Sequence, residues 1–206
     1  GIYYAGYVAA VPVLVGTALA AEAVSLHWLL FSLALIGAIL IQVGTNLTDE
    51  YADHRSGTAN KYKAAHKVIQ RGLLSEQAVL RGMLLCFSIS IAMGLYIVSL
   101  VGWPILAVGI FSLFAGYLYS GGPFALGSRA LGEITVFFFM GPLIIMASYY
   151  VQAQELTWPL FWASFPIGLL VTAILQCNNL RDLAEDRLRI TSALAGGQGG
   201  AAIAAA

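Results

Sequence analysis

Charge is what this sequence has least of. Only 10 Lys or Arg and 10 Asp or Glu occur in 206 residues, 10% of the chain. A soluble domain carries about a quarter. With 60% hydrophobic residues and a mean hydropathy of +0.84, that scarcity excludes a solvated globular surface and points to an integral membrane protein. Cysteines number two, and Cys86 and Cys177 lie far apart in apolar runs. That excludes a disulfide framework and a CxxC metal pair. No basic tail or stripe exists, so nucleic acid is not an expected partner. The opening residues, GIYYAGYVAAVPVLVGTALA, lack the charged start and the cleavage site of an export signal. They read as a first membrane helix, and the chain is expected to lack sequence at both ends, mainly the C-terminus.

What the chain has instead is long apolar runs. Six are near the ~20 residues a bilayer core requires, at roughly 2–20, 28–47, 79–101, 103–120, 131–151 and 158–179. Pro104 fits the first turn of the fourth, after a tight GWP connection. Pro12, Pro142 and Pro166 fall inside spans, where kinks are expected. The expected fold is all-α, a polytopic transmembrane helical bundle in a single domain.

The charges are one-sided. Connections 21–27, 102–104 and 152–157 hold no Lys or Arg, and all ten basic residues fall on or next to the opposite face. The positive-inside rule makes that face cytoplasmic. Eight of the ten acids are there too, all but Glu22 and Glu155.

Those acids form two clusters. NLTDEYADHRSG holds Asn46, Asp49, Glu50 and Asp53, whose offsets of three, four and seven share one helical face. QCNNLRDLAEDRLR holds Asn178, Asp182 and Asp186 at steps of four, with Asn179 and Arg181 between them. Both end even-numbered spans, so they are expected to face each other at one depth. Five carboxylates converging there require positive charge. Hard oxygen donors with few His or Cys suit Mg²⁺, which binds through one or two carboxylates and substrate phosphates. Lys67 and Arg71, in HKVIQRG, either clasp a diphosphate or signal topology. Glu133 either faces the bundle interior or pairs with Arg129. Tyr117, Tyr119 and Phe124 either line a pocket or belong to an interfacial belt. The chemistry expected is departure of diphosphate from an allylic carbon. A cation or proton-coupled transporter is the rival, and would place its acids nearer the midplane on broken helices.

The chain resembles the UbiA superfamily of intramembrane aromatic prenyltransferases, above all its MenA-type branch, which acts on 1,4-dihydroxy-2-naphthoate in menaquinone synthesis. QVGTNLTDEYADHRSG, HKVIQRGLLS, YLYSGGPFALGSRALGEITVFFFMGPL with SYYVQ, and QCNNLRDLAEDR carry the likeness. The resemblance implies a nine-helix bundle, of which about six are expected here. It also implies a Mg²⁺-diphosphate site between the acidic motifs and a prenyl tunnel open to lipid. By motif, Asn46, Glu50 and Asp53 fall on the first metal motif, Asp182 and Asp186 on the second, and Lys67 and Arg71 on the diphosphate loop. Polyprenyl diphosphate and an aromatic acceptor are the implied substrates. Other branches use 4-hydroxybenzoate, homogentisate or a lipid ether. The family usually reads Asn-Asp where this chain has Asp49-Glu50, commonly carries a further acid near Ala59, and follows the second motif with Lys/Arg-Thr rather than ITSALA.

Overall fold

The computed structural model describes residues 2–55, 68–69, 71–120, 132–177 and 180; the side chains of 2–7, 49, 53 and 113–120 are not described. The described residues form helices and turns and no strand. The helices are α1 (Ile2–Ala21), α2 (Trp28–Arg55), α3 (Glu76–Val101), α4 (Trp103–Ser120), α5 (Gly132–Ala153) and α6 (Trp158–Cys177). Four of them, α2, α3, α5 and α6, contain a stretch long and apolar enough to cross a membrane. Many large apolar side chains face outward, including Leu84, Leu85, Leu95, Ile110 and Leu170. In lipid such exposure carries no hydrophobic penalty, while an unpaired backbone group would cost several kcal/mol. The chain is an integral membrane protein.

Helix α2 overruns its expected end at residue 47 by eight residues. Its 28 residues reach about 42 Å at 1.5 Å each, against a hydrocarbon core of about 30 Å. Leaving the bilayer does not end a helix, and TDEYADHR contains neither Gly nor Pro. His54 and Arg55 sit in the last turn, where positive charge opposes the helix dipole. Helix α3 begins three residues before the expected 79, because Ser75 caps it by accepting the Ala78 N–H at 3.2 Å.

The prolines act as expected at two places. Pro142 cannot donate to the preceding turn, and Phe139–Leu143 widens into a π-helical segment within α5. Pro166 follows a break in α6 at Ser164, whose hydroxyl donates to the Phe161 carbonyl at 2.6 Å. Gly102, at φ 103°, closes α3 onto Val98, and Trp103-Pro104 starts α4 at once.

Packing ties α2 to α3, and α1 to both α2 and the second half of α5. Two buried clusters lie at the end of the bundle away from the acidic motif. One joins Ala20, Ile145, Tyr149 and Leu160; the other joins Leu30, Ile97, Val101 and Val151. A side-chain amide closes that end further. Gln152 Oε1 accepts the His27 N–H at 2.8 Å, and Gln152 Nε2 donates to the His27 carbonyl at 3.4 Å. Trp28, Trp103 and Trp158 head α2, α4 and α6 on this same face and are largely exposed. They form half an aromatic belt, the position that amphipathic rings favour.

Helices α5 and α6 meet backbone to backbone. A Cβ at Gly141 would lie 2.6 Å from Gly168 Cα, so only glycine permits the approach. Gly94, in the middle of α3, has nothing within 4 Å of its would-be Cβ. Gly141→Ala is therefore expected to cost about 1–3 kcal/mol through overpacking, and Gly94→Ala to add about 0.5–1 kcal/mol of stability. Thermal unfolding in detergent should move in opposite directions for the two.

Candidate active site

The polar end of α2 emerges from an apolar helix, so its side chains first settle what they can locally. Thr45 Oγ1 donates to the Ile41 carbonyl at 2.9 Å, and Thr48 Oγ1 donates to Gly44 at 2.8 Å. Both hydroxyls are thereby occupied by their own helix. Asn46 and Glu50 follow one turn apart, both half-buried. Helix α2 runs unbroken through this stretch to Arg55.

Glu50 is the link to the rest of the site. Its Oε1 accepts the backbone N–H of Ile69 at 3.1 Å, across nineteen residues of chain. Ile69 belongs to a compact turn. Gly72 N–H donates to the Ile69 carbonyl at 2.9 Å and Leu73 N–H donates to Val68 at 3.0 Å. This paired closure requires a left-handed residue, and Gly72 supplies it at φ 68°. Arg71 precedes it and is exposed. The end of α2 is thus joined to the turn that carries Arg71, through a backbone amide.

A second link lies beside the first. Arg55 Nη1 donates to Tyr51 Oη at 3.1 Å, and Arg55 Nε lies 3.8 Å from Glu76 Oε1 at the start of α3. The Tyr51 hydrogen bond, with Glu76 contributing, raises the Arg55 pKa above its ordinary value. The guanidinium stays charged throughout. The pair is exposed, so its contribution to stability is small and its effect is to orient. Lower in the hairpin, the Phe87 ring packs on Gly44 and Leu47 reaches Gly82.

Asn46, Glu50 and Arg71 are thus on one side of the bundle end. Lys67, Asn178, Asn179, Arg181, Asp182 and Asp186 lie outside the described residues, as do Arg129 and the side chains of Asp49, Asp53, Tyr117 and Tyr119. Helix α6 is described as far as Cys177, one residue before Asn178. Among the described residues no three of His, Cys, Asp and Glu gather into a metal-binding group. Glu133 is half-buried in the first turn of α5. Sequence reasoning passed over the Ile69 amide, Gly72 and the Arg55–Glu76 pair. The run RGLLSE did contain two signals, a glycine just past the basic pair and a Ser-Glu helix start.

These features define a class: an integral membrane protein, helical throughout its described residues, in which the end of α2 carrying Glu50 is tied to the turn carrying Arg71. The chain belongs to the UbiA prenyltransferase family, whose model matches residues 9–204. It is 34% identical over 179 residues to the 1,4-dihydroxy-2-naphthoate octaprenyltransferase of Bacillus subtilis (strain 168), covering 86% of this chain and 57% of that protein. The Escherichia coli (strain K12) protein of the same name is 34% identical over 184 residues, covering 85% and 59%. The 2-carboxy-1,4-naphthoquinone phytyltransferase of Synechocystis sp. (strain ATCC 27184 / PCC 6803 / Kazusa) is 32% identical over 187 residues, covering 87% and 58%. The chain therefore spans less than two thirds of each of these relatives.

The turn at Gly72 has open space around it, so any effect of substitution there is purely conformational. Gly72→Ala is expected to destabilise the turn by about 1–2 kcal/mol. Hydrogen exchange of the Gly72 and Leu73 amides should accelerate roughly five- to thirtyfold, with α3 unaffected.

Proposed function

We propose that the chain is a MenA-like prenyltransferase, moving a polyprenyl group from polyprenyl diphosphate to 1,4-dihydroxy-2-naphthoate with loss of diphosphate and CO₂. The observation that carries this is the joining of the acidic end of α2 to the basic turn through Glu50 and Ile69. Acid and base at one end of an apolar bundle suit a substrate with a diphosphate head and a lipid tail. The named relatives support the acceptor more strongly than the donor. Their names share a naphthalene-derived acceptor, while the transferred group is octaprenyl in two and phytyl in the third.

The donor set fits a hard divalent cation. Asn46 and Glu50 offer oxygen, and Asp53, Asp182 and Asp186 would complete an all-oxygen set without His or Cys, which suits a hard cation better than zinc. Glu50, Asp53, Asp182 and Asp186 would hold Mg²⁺, with Asp49 adding charge beside them. The metal's part is to stabilise negative charge on the departing diphosphate. Lys67, Arg71 and Arg181 neutralise the same oxygens, the arginines with paired donors. Asn46, Asn178 and Asn179 orient ligands or substrate by hydrogen bonds. The apolar helix walls take the prenyl chain and keep water from the allylic carbon. With all ten Lys and Arg on or beside this face, the site lies on the cytoplasmic side.

The transporter reading fares less well. Asn46 to Asp53 lie in and beyond the last turns of the span Trp28–Ala52, on an unbroken helix. Transport sites favour the midplane and interrupted helices.

The test is an assay of the full chain in detergent or lipid with polyprenyl diphosphate, 1,4-dihydroxy-2-naphthoate and Mg²⁺. Prenylated naphthoquinol is expected, abolished by EDTA and reduced roughly 100-fold or more by Asp182→Ala. Product with 4-hydroxybenzoate or homogentisate, and none with the naphthoate, would overturn the acceptor. Cation-driven flux in vesicles without any prenyl transfer would overturn the enzyme.

A further inference from the structure

Glu50 stands in the middle of the acidic motif, yet its contact to Ile69 runs to the main chain of a different segment. The amide it takes belongs to the turn that presents Arg71. Val68 and Ile69 are half-buried, while Arg71 and Gly72 are exposed. The turn is therefore seated by its first residues and shows its cation outward. On the far side of the turn, Ser75 and Glu76 are fixed by the α3 cap and by Arg55. The turn is held from two sides, and both anchors rise from the last two turns of α2 or the first turn of α3.

We propose that Glu50 is a positioning residue, whose carboxylate sets the place of the Gly72 turn and so of the Arg71 guanidinium. The role of Arg71 toward diphosphate rests on the prenyltransferase reading above; the tether itself does not. Side-chain length is part of the argument. An Asp at this position would withdraw the oxygen by about one C–C bond, ~1.5 Å. The 3.1 Å contact to Ile69 would then open beyond hydrogen-bonding range unless the backbone moved. Glu at position 50 is what the reach to Ile69 requires. A carboxylate offers about four acceptor directions, so the tether does not by itself exclude a metal contact.

Two substitutions separate tether from metal ligand, because each preserves one role. Glu50→Asp keeps the charge and loses the reach. Glu50→Gln keeps the reach and an acceptor oxygen and loses the charge. The first readout is trypsin cleavage of the full chain at Arg71–Gly72, followed by mass spectrometry. It needs no substrate. Cleavage at Arg81–Gly82, inside α3, reports whether each variant is folded.

The expected result is cleavage after Arg71 about tenfold or more faster in Glu50→Asp than in the wild type, with Glu50→Gln close to the wild type. The second readout is kinetic. Glu50→Asp should raise the KM for polyprenyl diphosphate more than it lowers kcat. Glu50→Gln should instead raise the Mg²⁺ concentration needed for half-maximal rate. Equal cleavage in all three proteins, or faster cleavage in Glu50→Gln than in Glu50→Asp, overturns the proposal whatever the activity. The expected cleavage pattern in a chain that transfers no prenyl group would leave the tether standing and remove the enzymatic reading. If cleavage at Arg81–Gly82 rises as well in Glu50→Asp, the hydrogen exchange of the Ile69 amide in Glu50→Gln decides: protection like the wild type supports the tether, and loss of protection overturns it.

Discussion

A backbone amide in hydrocarbon has no water to turn to, and this constraint shapes the irregularities of α5 and α6. There the helical ladder is interrupted only locally. At Pro142 the ladder lengthens, and the Ile144 N–H reaches back to the Phe139 carbonyl. Before Pro166 the Ser164 side chain supplies a bond of its own. At the two tight reversals, Gly102 and Gln154 adopt positive φ and return their N–H groups to Val98 and Tyr150. At the same end the Gln152 side-chain amide serves both the N–H and the carbonyl of His27. The connections follow from where unsatisfied groups can be met, more than from the preferences of their residues.

The two ends of the bundle answer to different physics. At the end that α2, α4 and α6 enter, apolar clusters, a side-chain clamp and exposed tryptophans seal the helices and mark the interface. At the other end the contacts are polar and directional. Glu50 to Ile69, Arg55 to Tyr51 and Glu76, and Ser75 to Ala78 are hydrogen bonds or ion pairs rather than buried area. A hydrophobic seal tolerates sliding, because it depends on area. Directed bonds specify orientation, which buried area alone does not.

Much of this was legible before any coordinates. Apolar length gave five of the six helices to within about three residues, since a span must cross a fixed thickness. Apolar length alone did not show the overrun of α2: TDEYADHR lies outside the apolar run, although nothing in it breaks a helix and the spacing of its acids is helical. The π segment could be foreseen only as a kink at Pro142, because the repair a helix chooses depends on its neighbours. At the site, the spacing of Asn46, Glu50 and Asp53 announced a common face. The partner of Glu50 did not announce itself, because a backbone amide leaves no mark on the sequence. Arg71 could be read as a ligand or a topology signal, and only the turn that carries it tells where its charge is presented.

The five residues from Phe139 to Leu143 have one more effect. A π turn adds a residue without completing another α turn, which delays the helix by roughly 100° in rotational phase. Before it, Phe137 meets Phe165 on α6, and Phe139 at its start stacks on Phe111 of α4. After it, Ile145 is fully buried and lies against Gly16 of α1. One continuous rod is in this way two keys cut at different angles, and a single span serves as wall to three neighbours that an unbroken helix would address from one stripe.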